Sequence, residues 1–173
     1  LIDAVRQRGV ELAIVRTPYT APELKAIPLT WQDTYAVTTQ PFDGAQNADS
    51  VTVPMLCTQP LIVYRRWEPI VTEAFAALGC SAKTRFVCDD ARTCAALAAR
   101  GAGCALVPAS ALSAHDTSVS LHRYRVNSTM LRSRVDILFD AHAYCSTLAQ
   151  RFIDHVCTQA KQPPAAQPAD GPV

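Results

Sequence analysis

The stretch PLIVYRRWEPIVTEAFAALGCSAKTRFVCDDARTCAALAARGAGCALVP, residues 60–108, decides the fold class. PLIVYR reads as a short apolar strand, EPIVTEAFAALG as a helix stopped by Gly79, and TRFVC as a second strand. DARTCAALAARG then reads as a helix stopped by Gly101, and CALVP as a third strand. Strands that are apolar throughout are buried on both faces. The β-α-β-α-β order at this tight spacing predicts a mostly parallel sheet with right-handed crossovers. Asp90 is placed to cap the second helix, because its carboxylate can accept a bond from an orphan backbone N–H one turn in.

Towards the start of the chain, Leu1, Ile2 and Val5 have helical spacing, Gly9 stops that helix, and ELAIV (11–15) follows as a strand. The sequence therefore opens inside a βαβ unit and reads as cut from a longer chain. A Pro-punctuated loop around Pro18, Pro22 and Pro28 leads to a strand TYAVTT (34–39), and PFDGAQNADS (41–50) is a polar surface excursion. Beyond Pro108, a Ser/Ala-rich stretch (109–118) precedes two strands, VSLHRYRV (119–126) and RVDILFD (134–140). A final amphipathic helix, about 146–160, sets Leu148, Phe152, Ile153 and Val156 on one face. The Pro/Ala-rich tail KQPPAAQPADGPV is expected to be disordered. There is no internal repeat.

With 173 residues, 49% of them hydrophobic, the chain is long enough to bury a core as one domain or two small lobes. Lysine plus arginine (16) nearly cancel aspartate plus glutamate (15), so this segment lacks the basic field that nonspecific DNA binding needs. Seven cysteines, an odd number and mostly inside apolar runs, fit reduced thiols in a cytoplasmic protein better than a disulfide framework. No apolar run approaches the roughly 18 residues of a membrane span, and the opening is not a signal peptide.

Four segments in this order, GVELAIVRTP (9–18), PLIVYRR (60–66), FVCDDARTCAALAARGAGCALVPASAL (86–112) and the last strand with its helix, resemble the effector-binding domain of LysR-type transcriptional regulators. The most specific piece is the aspartate-led helix followed by ARGAGCALVP, where Gly101 and Gly103 turn the chain into a buried strand and Pro108 starts the next helix. The resemblance covers residues 1 to 160. It implies the two-lobed α/β fold of type 2 periplasmic binding proteins, with mixed sheets flanked by helices and the opening strand, helix and strand of lobe I absent. One lobe is then 1–58 with 119–160, the other 59–118, the two joined by strands near Cys57–Pro60 and Ser118–His122, with 161–173 as tail. The implied function is allosteric: a small effector, a carboxylate by this reading, binds between the lobes of a dimer or tetramer. Promoter DNA is then reached only through a winged helix-turn-helix outside this sequence. The string YRRWE with CDDART is similar to a subgroup responding to citrate and related metabolites, whose Lys/Arg-rich segment is replaced here by DAHAYCS (140–146). The rival readings are a solute-binding protein of a transport system, which needs an export signal, and an enzyme on the same fold.

The expected ligand-binding residues are Arg16, Thr17, Tyr64, Arg65, Cys88, Asp89 and Pro108. Arg16 follows the ELAIV strand at the carboxyl edge where open α/β sheets bind ligands, and a guanidinium there holds a carboxylate with paired N–H bonds. A structural ion pair with Glu11 or Asp33 is the alternative. Tyr64 and Arg65 end the first strand of the second lobe; Arg65 and Arg66 adjoin, so at most one enters a cleft. Cys88, Asp89 and Asp90 open a helix whose free N–H groups attract an anion, which the two aspartates oppose unless they turn away to cap it. Cys88 and Cys94, six residues apart across a helix start, would need local remodelling to form a redox pair. No zinc spacing, P-loop, nucleophile elbow or dinucleotide fingerprint occurs, so neither a cofactor nor a metal is expected.

Overall fold

A computed structural model describes residues 1–44, 49–112 and 121–161. The chain divides into two compact units, one formed by Leu1–Thr30 with Arg134–Val173 and the other by Trp31–Ser133. In chain order the elements are α1 (Ile2–Arg6), β1 (Leu12–Arg16), β2 (Lys25–Gln32), β3 (Thr34–Thr38), β4 (Ser50–Val51) and α2 (Val53–Leu56). Next come β5 (Leu61–Tyr64), α3 (Glu68–Ala76), β6 (Thr84–Cys88), α4 (Ala91–Ala99), β7 (Cys104–Pro108), β8 (His122–Val126), β9 (Ser133–Phe139) and α5 (Thr147–Lys161).

The first unit holds a three-stranded sheet in the order β1-β9-β2. β1 and β9 run antiparallel with Leu12 opposite Phe139 and Arg16 opposite Val135. Val5, Ala13, Leu24 and Leu138 form its apolar cluster, joined by the partly buried Ile2, Val15, Tyr19 and Ala21.

The second unit is built on the stretch 60–108. Its six-stranded sheet has the order β4-β8-β3-β7-β5-β6, with β5 parallel to both β6 and β7 and β3 antiparallel to β7 and β8. Alternate residues of β5 and β7 enter opposite cores. Leu61, Val63, Cys104 and Leu106 pack with Val71, Ala74 and Phe75 of α3, whereas Ile62, Ala105 and Val107 pack with Cys94 and Ala98 of α4. This two-sided burial is why both strands read as continuous apolar runs. Asp90 caps α4 as expected, its carboxylate accepting the Thr93 N–H at 3.0 Å.

Four expectations need correction. The expected first lobe takes in residues 31–58 and the strand VSLHRYRV (119–126), but TYAVTT pairs with CALVP in one sheet, and β8 pairs with β3. The chain passes between the units at Thr30/Trp31 and Ser133/Arg134, inside β2 and β9, and not near Cys57–Pro60. Cys57–Pro60 is a short link within the second unit, where the Gln59 N–H donates to the Leu56 carbonyl at 3.1 Å. Secondly, the Pro-punctuated loop contains the strand β2; it is an edge strand, where the missing N–H of Pro28 is tolerated. Thirdly, α5 turns Ala149 and Ile153 inward and leaves Leu148 79% exposed, so its buried face is rotated from the expected one. Fourthly, Pro108 is followed by a short 3₁₀ turn, Ala109–Ala111, in place of a helix. The other expected crossing, Ser118–His122, lies largely outside the described residues, as do most of the tail and part of the excursion 41–50.

Candidate functional site

The carboxyl ends of the parallel strands β5, β6 and β7 carry Tyr64, Cys88 and Pro108 along one edge of the second unit's sheet. Tyr64 stands in register with Cys88. Its half-buried ring meets Trp67 edge-on at a centroid distance of 6.2 Å, which fixes the phenol at the strand end. Pro108 closes β7 on the far side of β5 and is buried opposite Thr34.

Arg65 opens a 3₁₀ turn directly after β5, and its Nε donates to the Asp89 carboxylate at the end of β6. Both side chains are exposed, at 58% and 80%, so the bond is reachable from solvent. The hydrogen bond raises the pKa of Arg65 and lowers that of Asp89. The two aspartates ahead of α4 thus divide their work: Asp90 caps the helix and Asp89 neutralises Arg65. An organic acid approaching Arg65 has to compete with a carboxylate already in place.

Cys88 packs half-buried against the α4 side of the sheet beside Cys94. The Cys94 thiol is pushed up to about 12, first by burial and then by the neighbouring Cys88. The sequence argument against a redox pair rested on the two thiols being apart, whereas they lie side by side. Protonation makes Cys94 a poor attacking thiol, because the thiolate is the species that attacks. Burial likewise pushes Cys104 up to about 12.

Arg16 and Thr17 belong to the other unit, at the carboxyl end of β1. The Thr17 N–H donates to the Arg134 carbonyl at 2.9 Å, and the Thr17 hydroxyl accepts the Arg134 N–H at 2.9 Å. Beside them is a polar group that the sequence reading missed. The fully buried Asp136 carboxylate accepts Arg134 Nε at 2.6 Å and Arg134 Nη2 at 2.8 Å, and also the Tyr19 hydroxyl. Burial raises the Tyr19 pKa, with Asp136 adding to it, and the bond to Asp136 raises that of Arg134. Val15 lies opposite Asp136 and Arg16 opposite Val135, so Arg16 points to the other face of the sheet from this group. Glu11 and Asp33, the carboxylates weighed as structural partners of Arg16, are engaged by Ser146 and by Arg132.

A signal for the missed group was available. Arg-Val-Asp in an otherwise apolar strand places the two charges at i and i+2 on one face, and an aspartate there is buried only if paired. Among the described residues, no three His, Cys, Asp or Glu side chains are grouped to hold a metal. No helix among them is long and apolar enough to cross a membrane.

Comparison with curated proteins finds no sequence match. Among solved structures, the effector binding domain of QuiR in complex with shikimate superposes with a TM-score of 0.77 at 16% identity, covering 92% of this chain and 76% of that one. The regulatory domain of CcmR from Synechocystis PCC6803 in complex with 2-PG gives 0.77 at 15% identity, covering 92% and 77%. Full-length CbnR, a LysR family transcriptional regulator, gives 0.74 at 18% identity in complex with its target DNA, and there the chain spans only 54% of the neighbour's length. At these identities the structural likeness shows the periplasmic-binding-protein-like fold, and the sequence itself supplies the family. Residues 1–161 match the family described as LysR substrate binding domain, and the chain belongs to it.

Proposed function

We propose that this chain is the ligand-sensing part of a LysR-type transcriptional regulator, and that it binds a small carboxylate effector. The residues assigned to the effector are Arg16, Thr17, Tyr64, Arg65, Cys88, Asp89 and Pro108. The observation that carries the reading is the gathering of Tyr64, Arg65, Cys88 and Asp89 at neighbouring carboxyl strand ends, where open α/β sheets take ligands. Effector complexes of QuiR and CcmR show that domains of this fold hold small molecules. The protein acts without catalysis, in the cytoplasm, as a dimer or tetramer whose DNA contacts are made by a winged helix-turn-helix domain. An effector shifts transcription only by binding one lobe arrangement more tightly than another, and a typical coupling is about 1–3 kcal/mol.

The Arg65–Asp89 pair supplies the test. If Arg65 clamps the effector carboxylate, Arg65→Ala loses about 1.5–3 kcal/mol of binding, the scale of a hydrogen bond to a charged group. Asp89→Asn removes the competing carboxylate and tightens binding. Arg16→Ala weakens it on the same scale as Arg65→Ala, and Arg16→Lys recovers only part, because a point charge does not reproduce the planar two-bond geometry. Calorimetric titration of the full-length regulator with a panel of small organic acids reads all four. Unchanged affinity in both alanine variants for every acid that binds would refute the assignment.

A further inference from the structure

The turn between β8 and β9 borders an open surface cavity of about 240 Å³ lined by Asp33, Arg125, Asn127, Ser128, Thr129 and Arg132, all within the second unit. We propose that it is a binding site for a phosphate group, carried by a small phosphate monoester. None of its residues belongs to the effector set of the preceding section, so the two assignments stand or fall separately.

The cavity holds two guanidinium groups and one carboxylate. Asp33 forms an ion pair with Arg132, whose Nε lies 2.9 Å from the carboxylate, while Arg125 Nη1 stays 3.9 Å from it, beyond hydrogen-bond length. Among the described residues, the Arg125 guanidinium and the two outer nitrogens of Arg132 make no hydrogen bond. Arg132 is nevertheless held in place, by Asp33 on one edge and by the Trp31 ring 5.7 Å beneath it. The turn's backbone is already satisfied, with the Asn127 N–H on the Val51 carbonyl at 2.8 Å and the Ser128 N–H on the Val126 carbonyl at 3.0 Å. The side chains of Asn127, Ser128 and Thr129 make no hydrogen bond among the described residues. The turn is therefore anchored through the backbone of Asn127 and Ser128, while its polar side chains are uncommitted among the described residues.

Charge decides the sign of the ligand. Two positive groups against one negative one leave a net attraction for an anion, and Asp33 orients one arginine while keeping the seat from holding a strong excess charge. Shape decides the class. Donors arrive from two guanidinium groups and, from the turn, from an amide and two hydroxyls. Such a spread matches the three free oxygens of a tetrahedral phosphate, whereas a planar carboxylate is satisfied by a single bidentate arginine. The volume exceeds that of the phosphate alone and leaves room for a small ester.

The test is titration of the purified protein with inorganic phosphate at constant ionic strength, followed by amide NMR shifts, with acetate as the second anion. Saturable phosphate binding with shifts centred on 125–132 is expected. Arg125→Ala should weaken it at least tenfold or so, the loss of one charged hydrogen bond. Asn127→Asp, which adds a negative charge without removing a cation, should also weaken it, and Asp33→Asn should strengthen it. Arg123→Ala, two residues earlier on the same exposed face of β8 and outside the cavity, should leave it within twofold. Three outcomes overturn the proposal: no saturation by phosphate, equal losses in Arg125→Ala and Arg123→Ala, or acetate binding as tightly as phosphate at the same residues. Weaker binding in Asp33→Asn, with the fold intact by circular dichroism, overturns the anion assignment as well.

Discussion

Asp136 shows how much one buried side chain asks of its neighbours. A carboxylate removed from water is tolerated only when its lone pairs are occupied, and here Arg134 fills two positions and Tyr19 a third. Arg134→Ala should cost about 3 kcal/mol in urea denaturation, the lower end for breaking a buried pair, because its side chain is 31% exposed and solvent screens part of the interaction. Replacing both charges, as Arg134→Met with Asp136→Leu, should restore most of that loss; a double variant as unstable as the single one would show that the pair sets backbone geometry and not merely charge balance. At this scale the sequence was half legible. The strand ends that carry Tyr64, Cys88 and the adjoining Arg65 and Asp89 could be placed because a parallel strand's carboxyl end is a predictable place, whereas Tyr19 comes from a loop whose path no periodicity encodes. The Arg65–Asp89 bond joins residues 24 positions apart in the chain and needed the β5–β6 register to be seen.

The elements were legible where periodicity and punctuation agreed. β5, α3, β6, α4 and β7 fall where their apolar runs and glycine stops put them. β2 was missed because its single line of pairing at a sheet edge lets Pro28 and mostly exposed side chains stand in a strand, so proline masked the signal. The buried face of α5 is turned from the expected one because the small Ala149 packs inward beside Ile153, while the larger Leu148 and Phe152 stay exposed. Gly103 carries the sharpest prediction at this level. It joins α4 to β7 at φ 154°, and a Cβ there would overlap the backbone carbonyl oxygen of Pro60. That oxygen accepts the Cys104 N–H at 2.9 Å, so it cannot retreat without parting β7 from the start of β5. Gly103→Ala should therefore lower stability by about 1–3 kcal/mol, the range for forcing atoms into filled space. Gly79→Ala is the control: its φ is also positive, at 69°, but the added Cβ meets nothing within 4 Å. Equal midpoint shifts for the two variants would mean that backbone conformation, not the close approach to Pro60, is what Gly103 protects.

At the scale of the whole chain, the sheet of the second unit was foreseeable only in its parallel half. Alternation along β3 and β8 says that they are strands but not which sheet they join, since both candidate sheets bury apolar faces, and their antiparallel pairing onto β7 decides it. Charge, by contrast, is a global property that the composition gives directly, and it bears on what this chain does by itself. Each phosphate neutralised by a bound protein releases counterions, so affinity for duplex DNA falls steeply with salt and requires a concentrated positive surface. Sixteen basic residues against fifteen acidic ones supply little net charge. Several of the arginines are already committed, Arg6 to Asp3 and Glu23, Arg65 to Asp89, Arg132 to Asp33 and Arg134 to Asp136. The 173-residue chain alone should therefore show no sequence-specific retardation of duplex DNA, and any weak binding at about 50 mM salt should vanish by about 200 mM. Fluorescence anisotropy of a labelled promoter fragment across that range, with and without an unrelated competitor duplex, measures both. A salt-resistant signal that discriminates between the two duplexes would place a DNA-reading surface on this domain itself and remove the need for the winged helix as sole contact.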